Sequence, residues 1–415
     1  MSALPILAVL TFGFTLSHFQ RTSLSAIAPD LMIELNLSPD AFGLIASGVF
    51  LGVAAGQLPT GILLDRFGTR RVTPVVLLLS VIGSLWFAAA DSVWALFASR
   101  FLIGLGIAST LMGTLVVAAR WFPPDRFATV SSVVFAVAGG VGNGVGTAPM
   151  AAAADVVGWR WAFVGVAGVM ALASALVALV ARDAPPGHPF WKRSPETLRA
   201  SLAGVVEVAK LPGMWRILIM AMMGYPALMT VLGGWGGPYL ADVYGLGSVA
   251  RGNVLAAMVA GNVLGFVVIG PLDRWLDTRK GVVMGGASLC VVVLGTLALW
   301  PHPPLAVVVA LLVLFGFATA FSVTNIALGR AIVPERLMGR GVTMVNMATF
   351  VGNAATQLVA GPIIGLFVTG GPAPEAAYRV VYGSLAVVFV VALMLYRSVA
   401  DRRPSDERAG RPLKH

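Results

Sequence analysis

A stretch beginning at Gly61 is written again 209 residues later, and this repetition constrains the fold more than any other feature. Gly61-Ile-Leu-Leu-Asp65-Arg66-Phe-Gly68-Thr-Arg70-Arg71 is echoed by Gly270-Pro-Leu-Asp273-Arg274-Trp-Leu-Asp277-Thr-Arg279-Lys280. Pro124-Asp125-Arg126 returns as Pro334-Glu335-Arg336, Gly142-Asn143 as Gly352-Asn353, and Pro29 with Leu37 as Pro238 with Leu246. Offsets held between 208 and 210 across these landmarks mark two copies of one unit. Both copies are apolar. Hydrophobic residues make up 58% of the chain and charged residues 11%, against roughly 25% charged in soluble proteins. The chain lacks the polar surface that water requires.

Twelve windows are long and apolar enough to cross a bilayer core: residues 4–28, 41–63, 73–90, 94–119, 128–152, 160–181, 214–240, 250–272, 280–299, 304–330, 341–367 and 376–395. The expected fold is an all-α membrane protein with twelve transmembrane helices in two pseudo-symmetric six-helix bundles. The N-terminal bundle takes residues 1–181, a cytoplasmic linker 182–213, the C-terminal bundle 214–397 and a cytoplasmic tail 398–415. Such internal repeats are common in secondary transporters, which narrows function to moving a solute across a membrane.

The net charge of +10 is distributed by topology, and nucleic-acid binding has no support. Arg66, Arg70 and Arg71 follow segment 2, and Arg120 and Arg126 lie between segments 4 and 5. Arg182, Lys192, Arg193, Arg199 and Lys210 fill the linker. Arg274, Arg279 and Lys280 follow segment 8, and Arg330, Arg336 and Arg340 lie between segments 10 and 11. The alternate loops hold Asp30, Glu34, Asp40, Asp91, Asp155, Asp242 and Glu375. This bias sets both termini on the cytoplasmic side. The first apolar run has no basic region before it and no small-residue cleavage site after it, so it reads as a retained helix. Cys290 is the single cysteine and can form no internal disulfide. Within the linker, Glu196 to Lys210 predict a short amphipathic surface helix, with Leu198, Leu202, Val205 and Val206 against lipid or the bundle.

The repeated turn suggests a latch. Gly61 would permit close helix approach and Gly68 the turn itself. Asp65 is placed to accept hydrogen bonds from the start of a neighbouring helix, where exposed amides favour an anion. Segment 11 near Gly341 is its natural partner, with Arg120 or Arg126 completing a charge cluster. Asp273 would do the same for segment 5 near Ala128, with Arg330 as partner. With Arg66, Arg70, Arg274 and Arg336, these residues would hold the two halves together on the cytoplasmic side when the cavity faces out.

On these residues the chain resembles the major facilitator superfamily over essentially its whole length. The turn from Gly61 to Arg71 resembles that superfamily's loop 2–3 motif, and the 8–9 loop is its weaker counterpart. Arg100-Phe-Leu-Ile-Gly104-Leu-Gly106-Ile-Ala108 resembles its arginine–glycine motif on helix 4. The resemblance implies two bundles around a central path lined mostly by helices 1, 4, 7 and 10. It implies no particular substrate.

Polar residues kept in only one copy need a reason other than shared machinery. His18 corresponds to Ala227, Arg21 to Thr230 and Arg100 to Ala310. Ionised side chains inside a membrane cost several kcal/mol unless they meet water, an ion or a partner. His18 and Arg21 share one helix face. Arg21 and Arg100 both fall roughly 10 Å below the outer end of their helices, within reach of one outward-opening cavity. A guanidinium fork matches a carboxylate, and no Asp or Glu lies deep in any segment to attract a cation. Other candidate substrate contacts are Gln57, Tyr225, Trp235, Tyr239, Asn325, Asn346 and Gln357. The glycines at 233, 234, 236 and 237 before Pro238 would let helix 7 bend as a gate. Asn143 and Asn353 recur in both copies and read first as helix-packing glue. Proton coupling would use His18, an acid at a helix end (Asp30 or Glu34), Arg100, or the protonated substrate itself.

The expected function is secondary active transport of a small carboxylate-type organic anion, coupled to protons, by a functional monomer in a bacterial cytoplasmic (inner) membrane. The partners are that solute, protons and the lipid bilayer, with no metal, no cofactor and no enzymatic site. Within the superfamily the pattern is most similar to the organic-anion carriers, which often carry an arginine in helix 1. Efflux of drugs or amphiphilic metabolites is the alternative. Its helix 5 signature G-x-x-x-G-P-x-x-G-G is met here by Gly140-Val-Gly-Asn-Gly144-Val-Gly146-Thr-Ala-Pro149, with valine in place of the first proline. Nitrate or nitrite transport ranks lower. Gly142-Asn143-Gly144 fits it, but Gln57 and an uncharged run between Asn253 and Leu272 stand where that group has paired arginines.

Overall fold

In hydrocarbon an open backbone must pair its own polar groups, and a helix does this within one segment. The computed structural model describes residues 3–187, 198–334, 337–368 and 371–405, and the membrane segments are helical throughout. The first half supplies α1 (Ala3–Glu34), α2 (Pro39–Phe67), α3 (Thr69–Ala89), α4 (Val93–Trp121), α5 (Pro124–Val145) and α6 (Ala148–Val180). The second supplies α7 (Met214–Tyr244), α8 (Ser248–Trp275), α9 (Arg279–Leu299), α10 (Leu305–Ala331), α11 (Met338–Gly365) and α12 (Glu375–Tyr396). Among the described residues eleven stretches are long and apolar enough to span a membrane. One of them, Val130–Val180, runs for 51 residues, far more than the ~20 that cross a bilayer. Gly158, at φ 80° and ψ 150°, breaks it and separates the material of two expected segments.

Local chemistry sets several boundaries. Ser38 accepts a hydrogen bond from the Ala41 amide and Pro39 opens α2, a combination favoured at helix starts. Ser92 caps α4 through Ala95, and Thr278 caps α9 through Gly281. Gly68 takes φ 79° between α2 and α3, a conformation that a side chain would strain.

Helices pack where small residues let backbones meet, since lipid offers no hydrophobic drive between apolar helices. The α2–α4 crossing shows this. A Cβ at Gly52 would stand 2.1 Å from the Phe101 carbonyl oxygen, and one at Gly104 2.1 Å from that of Val49. Within the halves α3 packs on α4 and α6, α8 on α10, and α9 on α12. Between the halves α2 meets α11, α1 meets α7, and α8 meets α5 and α6. Large apolar side chains such as Trp94, Val156, Trp161, Val267 and Trp275 remain exposed on the outside, as a lipid-facing surface requires.

The linker helix, Leu198–Ala209, lies against α11. Val208 is fully buried and Val205 packs on the core, whereas Val206 is exposed. Lys192, Arg193, Glu196, the side chains of Leu198, Arg199 and Leu202, and the tail from residue 406 lie outside the described residues.

Gly61 departs from expectation. A Cβ there would meet nothing within 4 Å, so it supports no close helix approach in this arrangement. The contrast yields a prediction. Gly52→Val should lower stability by roughly 1–3 kcal/mol through overpacking at the α2–α4 crossing. Gly61→Ala should be neutral. Thermal unfolding of detergent-purified protein, followed by tryptophan fluorescence, reads both.

Candidate functional site

The middle of α1 is polar where a spanning helix should be apolar. Ser17, His18, Gln20, Arg21, Thr22, Ser23 and Ser25 are all buried there. Two faces of this stretch do different things. Gln20 turns into the first half and donates to Ser84 Oγ at 2.9 Å. His18 and Arg21 turn into a central cavity, together with Phe14.

That cavity is bounded by α1, α4, α5, α7, α8, α10 and α11. Its residues on α7, α10 and α11, such as Tyr225, Asn325 and Asn346, come from the ends of those helices nearer the linker. At about 110 Å³ it is smaller than an apolar groove of about 600 Å³ between α1, α5 and α6. The groove is lined by valine, leucine and phenylalanine, and its two threonines cannot orient a polar solute. The smaller cavity carries the chemistry.

Arg21 is 5% exposed. Its Nη2 donates to Ser17 Oγ at 2.8 Å, and its guanidinium lies 4.9 Å from the centre of the Phe350 ring. Nε has no acceptor, and no acidic side chain of the described residues is paired with it. His18, one turn away, stands edge-on to Phe14 at 4.8 Å with neither ring nitrogen hydrogen-bonded. Asn143 lies beside it, so this repeated asparagine lines the cavity as well as the helix crossing. Tyr225 brings a buried hydroxyl with no partner. The arrangement therefore offers unspent donors around a cation, a setting that accepts an anion.

Asn325 and Asn346 also reach the cavity. The Asn325 amide is already committed, donating to the Ile217 carbonyl at 3.2 Å and accepting from Tyr396 Oη at 2.9 Å. Asn262 on α8, which the sequence did not single out, lines the cavity and donates to the Gly316 carbonyl at 3.0 Å.

Five expected contacts do not line the cavity. Arg100 is fully buried inside the first half, 5.9 Å from the Phe87 ring centre, with Nε and Nη1 unmet. Gln57 is buried elsewhere on α2. Gln357 donates to the Met229 carbonyl at 3.1 Å. Tyr239 joins Tyr244, Tyr378 and Tyr382 in an aromatic cluster. Trp235 packs edge-on against Phe42 of α2 at 5.0 Å, across the two halves. A π-helical turn at Val231–Trp235 explains the last two. Its extra residue per turn rotates the far end of α7 away from the face that carries Tyr225.

The side opposite the linker, here the far side, is closed by small residues. Pro29 cannot donate to the Ser25 carbonyl one turn back in α1. That oxygen faces Gly237, where a Cβ would stand 2.1 Å away, and the Gly237 amide donates to Ser25 Oγ at 3.2 Å. Gly43 of α2 packs on α11 beside Gly361, where a Cβ would stand 2.6 Å from the Gln357 carbonyl oxygen and 3.1 Å from Gly361 Cα. Asp30 and Glu34, expected near proton transfer, sit on this rim rather than in the cavity. Glu34 accepts from Trp159 Nε1 at 2.6 Å and pairs with Arg160, which also holds Asp91 at 2.8 Å.

On the linker side the repeated turns are held by two aspartates that the sequence did not reveal. Asp183, just past α6, accepts from the Arg70 amide at 3.0 Å, placing an anion at the start of α3. A Cβ at Gly68 would lie 2.4 Å from that carboxylate, so the glycine serves the cap as well as the turn. Arg70 Nε donates to the Ala178 carbonyl at 3.3 Å, and Arg120 to the Asp183 carbonyl at 3.4 Å. Asp401, just past α12, accepts from the Arg279 and Lys280 amides at 3.2 and 3.0 Å and from Thr278 Oγ1. Asp273 is buried and pairs with Arg279 of its own loop at 3.5 Å. Asp65, Arg66, Arg126, Arg274 and Arg330 are solvent-exposed, and Arg336 lies outside the described residues. Asp183→Ala should cost roughly 0.5–2 kcal/mol through loss of the α3 cap, and Asp401→Ala a similar amount at α9. Thermal melts of each variant against the wild type measure the difference.

The sequence pattern of the Major Facilitator Superfamily matches residues 10–357. The probable galactarate/D-glucarate transporter GudP of Escherichia coli (strain K12) is 25% identical over 423 aligned positions, covering 94% of this chain and 92% of that protein. The uncharacterised transporter YybO of Bacillus subtilis (strain 168) is 32% identical over 148 residues, 36% of this chain, and there the match spans only 34% of the relative's length. In structure the fold is similar to a bacterial homologue of the human lysosomal transporter Spinster in its inward-facing, unoccupied conformation. The TM-score is 0.75 at 18% identity, over 95% of this chain and 96% of that one. A superfamily match across most of the chain, on a bundle of spanning helices around a cavity that holds Arg21, makes this protein a member of the Major Facilitator Superfamily of membrane transporters.

Proposed function

We propose that this protein moves a small organic anion of carboxylate type across a bacterial cytoplasmic (inner) membrane by alternating access, coupled to protons. The observation that carries the proposal is Arg21, a buried guanidinium facing the central cavity with Nε unmet and no acid beside it. A carboxylate can take the two-donor edge of that fork. The Tyr225 hydroxyl and the Asn143 and Asn346 amides suit hydroxyl groups on the same solute. The name of GudP, a relative along nearly the whole chain, supports a sugar-acid solute.

The charge bias puts the linker side in the cytoplasm. With the far side closed and the cavity drawn from the linker-side helix ends, this orientation would make the arrangement inward-facing. Two six-helix bundles, 1–181 and 214–397, would rock about the cavity in one monomer. In the opposite state the turns carrying Asp65 and Asp273 would approach helices 11 and 5 and act as the cytoplasmic latch, the setting in which Gly61 would acquire a neighbour. His18 is the acid–base group best placed for coupling, because no carboxylate of the described residues lines the cavity.

A second reading rests on Phe14, Phe135, Phe266 and Phe350, which make much of the wall apolar and would suit an amphiphilic drug or metabolite. Calorimetry with galactarate, glucarate, nitrate and lipophilic cations separates the two. Arg21→Ala should weaken binding of the dicarboxylates by roughly 30-fold or more, the cost of removing one partner of a buried charge pair. Binding confined to lipophilic cations would replace the anion reading. In proteoliposomes, His18→Gln should abolish accumulation driven by a pH gradient while keeping solute exchange at zero gradient. Undiminished proton-driven uptake in this variant would remove His18 from the coupling path.

A further inference from the structure

We propose that the far-side end of α8 is a clasp for the outer gate, with Arg251 on α8 and Asp30 on α1 as its closing charge pair. Three α8 positions on one helix face, Ser248, Arg251 and Gly252, reach the first half. Ser248 Oγ donates to Asp155 of α6, and Gly252 fits so closely that a Cβ would lie 2.5 Å from Ala148 Cα. Between them Arg251 Nη2 stands 3.7 Å from Asp30 Oδ2. The guanidinium is 9% exposed and the carboxylate 53%, so closure of the halves buries the cation while leaving the acid in contact with the outside solution.

The geometry suits a contact that must break. At 3.7 Å the pair is looser than a charge-assisted hydrogen bond of 2.7–2.9 Å. Arg251 has a countercharge on each side of the seam. Across the gate is Asp30, and within its own half is Asp242, which lies in electrostatic reach and is held by the Tyr378 hydroxyl at 2.5 Å and the Ala373 amide. Opening the gate removes Asp30 but leaves the guanidinium with Asp242 and with the Leu246 carbonyl it already binds at 3.3 Å. Neither state strands a buried charge, so the pair can bias the equilibrium without locking it. Asp30 also lies on the same helix as Arg21, about 14 Å along its axis. A solute held at Arg21 and the clasp at Asp30 therefore act on one continuous helix.

The proposal rests on alternating access and is independent of the solute. Spin labels at Val156→Cys and Leu299→Cys, both exposed at the far side of opposite halves, report the opening as an electron–electron distance. Native Cys290 is fully buried, away from the label. Asp30→Asn and Arg251→Gln should each raise the ratio of long to short separations about five-fold or more, the scale of a modest conformational coupling. The double variant should add little to either single. Asp30 is half exposed, so Asp30→Asn carries the test even where Arg251→Gln fails to fold. Two populations whose ratio ignores Asp30→Asn would overturn the clasp alone. One unchanging separation in the wild type and every variant would overturn alternating access with it.

Discussion

A guanidinium in the middle of a membrane-spanning helix, with no acid beside it, is the constraint around which the rest of this structure is arranged. A lone cation in hydrocarbon is costly, and the chain meets that cost by facing it into a cavity that also holds His18, Tyr225 and several amides. Ser17 and the Phe350 ring hold Arg21 in place, yet they leave Nε unspent. Had an aspartate been near, the site would be neutral and its attraction for an anion spent internally. The same polarity would be tolerable only where other helices shield it from lipid, which is why α1 is buried along its middle on every face.

Closing such a cavity on one side demands a seam that can form and dissolve. Glycine and a proline-freed carbonyl provide it. Where Ser25 and Gly237 meet, and where Gly43 meets Gly361, the helices touch through backbone. Such contacts are close but individually weak. The π-turn in α7 lies beside this seam and swings Trp235 toward Phe42, completing the closure. The linker side is built differently. There Asp183 and Asp401 clamp each repeated turn to the helix that ends its own half, which makes each turn a firm unit rather than a flexible loop.

Much of this was legible in the chain because hydrocarbon leaves few choices. A run of apolar residues must be a spanning helix, and His18 and Arg21 stood out as unrepeated polar residues within one. Rotation about each helix axis was harder to read. In α7 and α11 nearly every face is buried or lipid-covered, so sequence gave no polar stripe to say which side meets the cavity. Counting from Tyr225 along an ideal helix then misplaces Trp235 and Tyr239, because the π-turn shifts the register. Gln357 was equally invisible as a partner of the Met229 carbonyl, a contact made 128 residues away. Asp183 and Asp401 escaped notice for another reason. They lie in polar segments after the last helix of each half, where an aspartate is ordinary until the fold brings it to a helix start.

The most direct test of the central claim is a structure determined with galactarate bound. The account predicts a carboxylate of the solute within hydrogen-bonding distance of Arg21 Nε, with the Tyr225 hydroxyl turned toward the same molecule. A solute seated away from Arg21, with Nε still unmet, would contradict it.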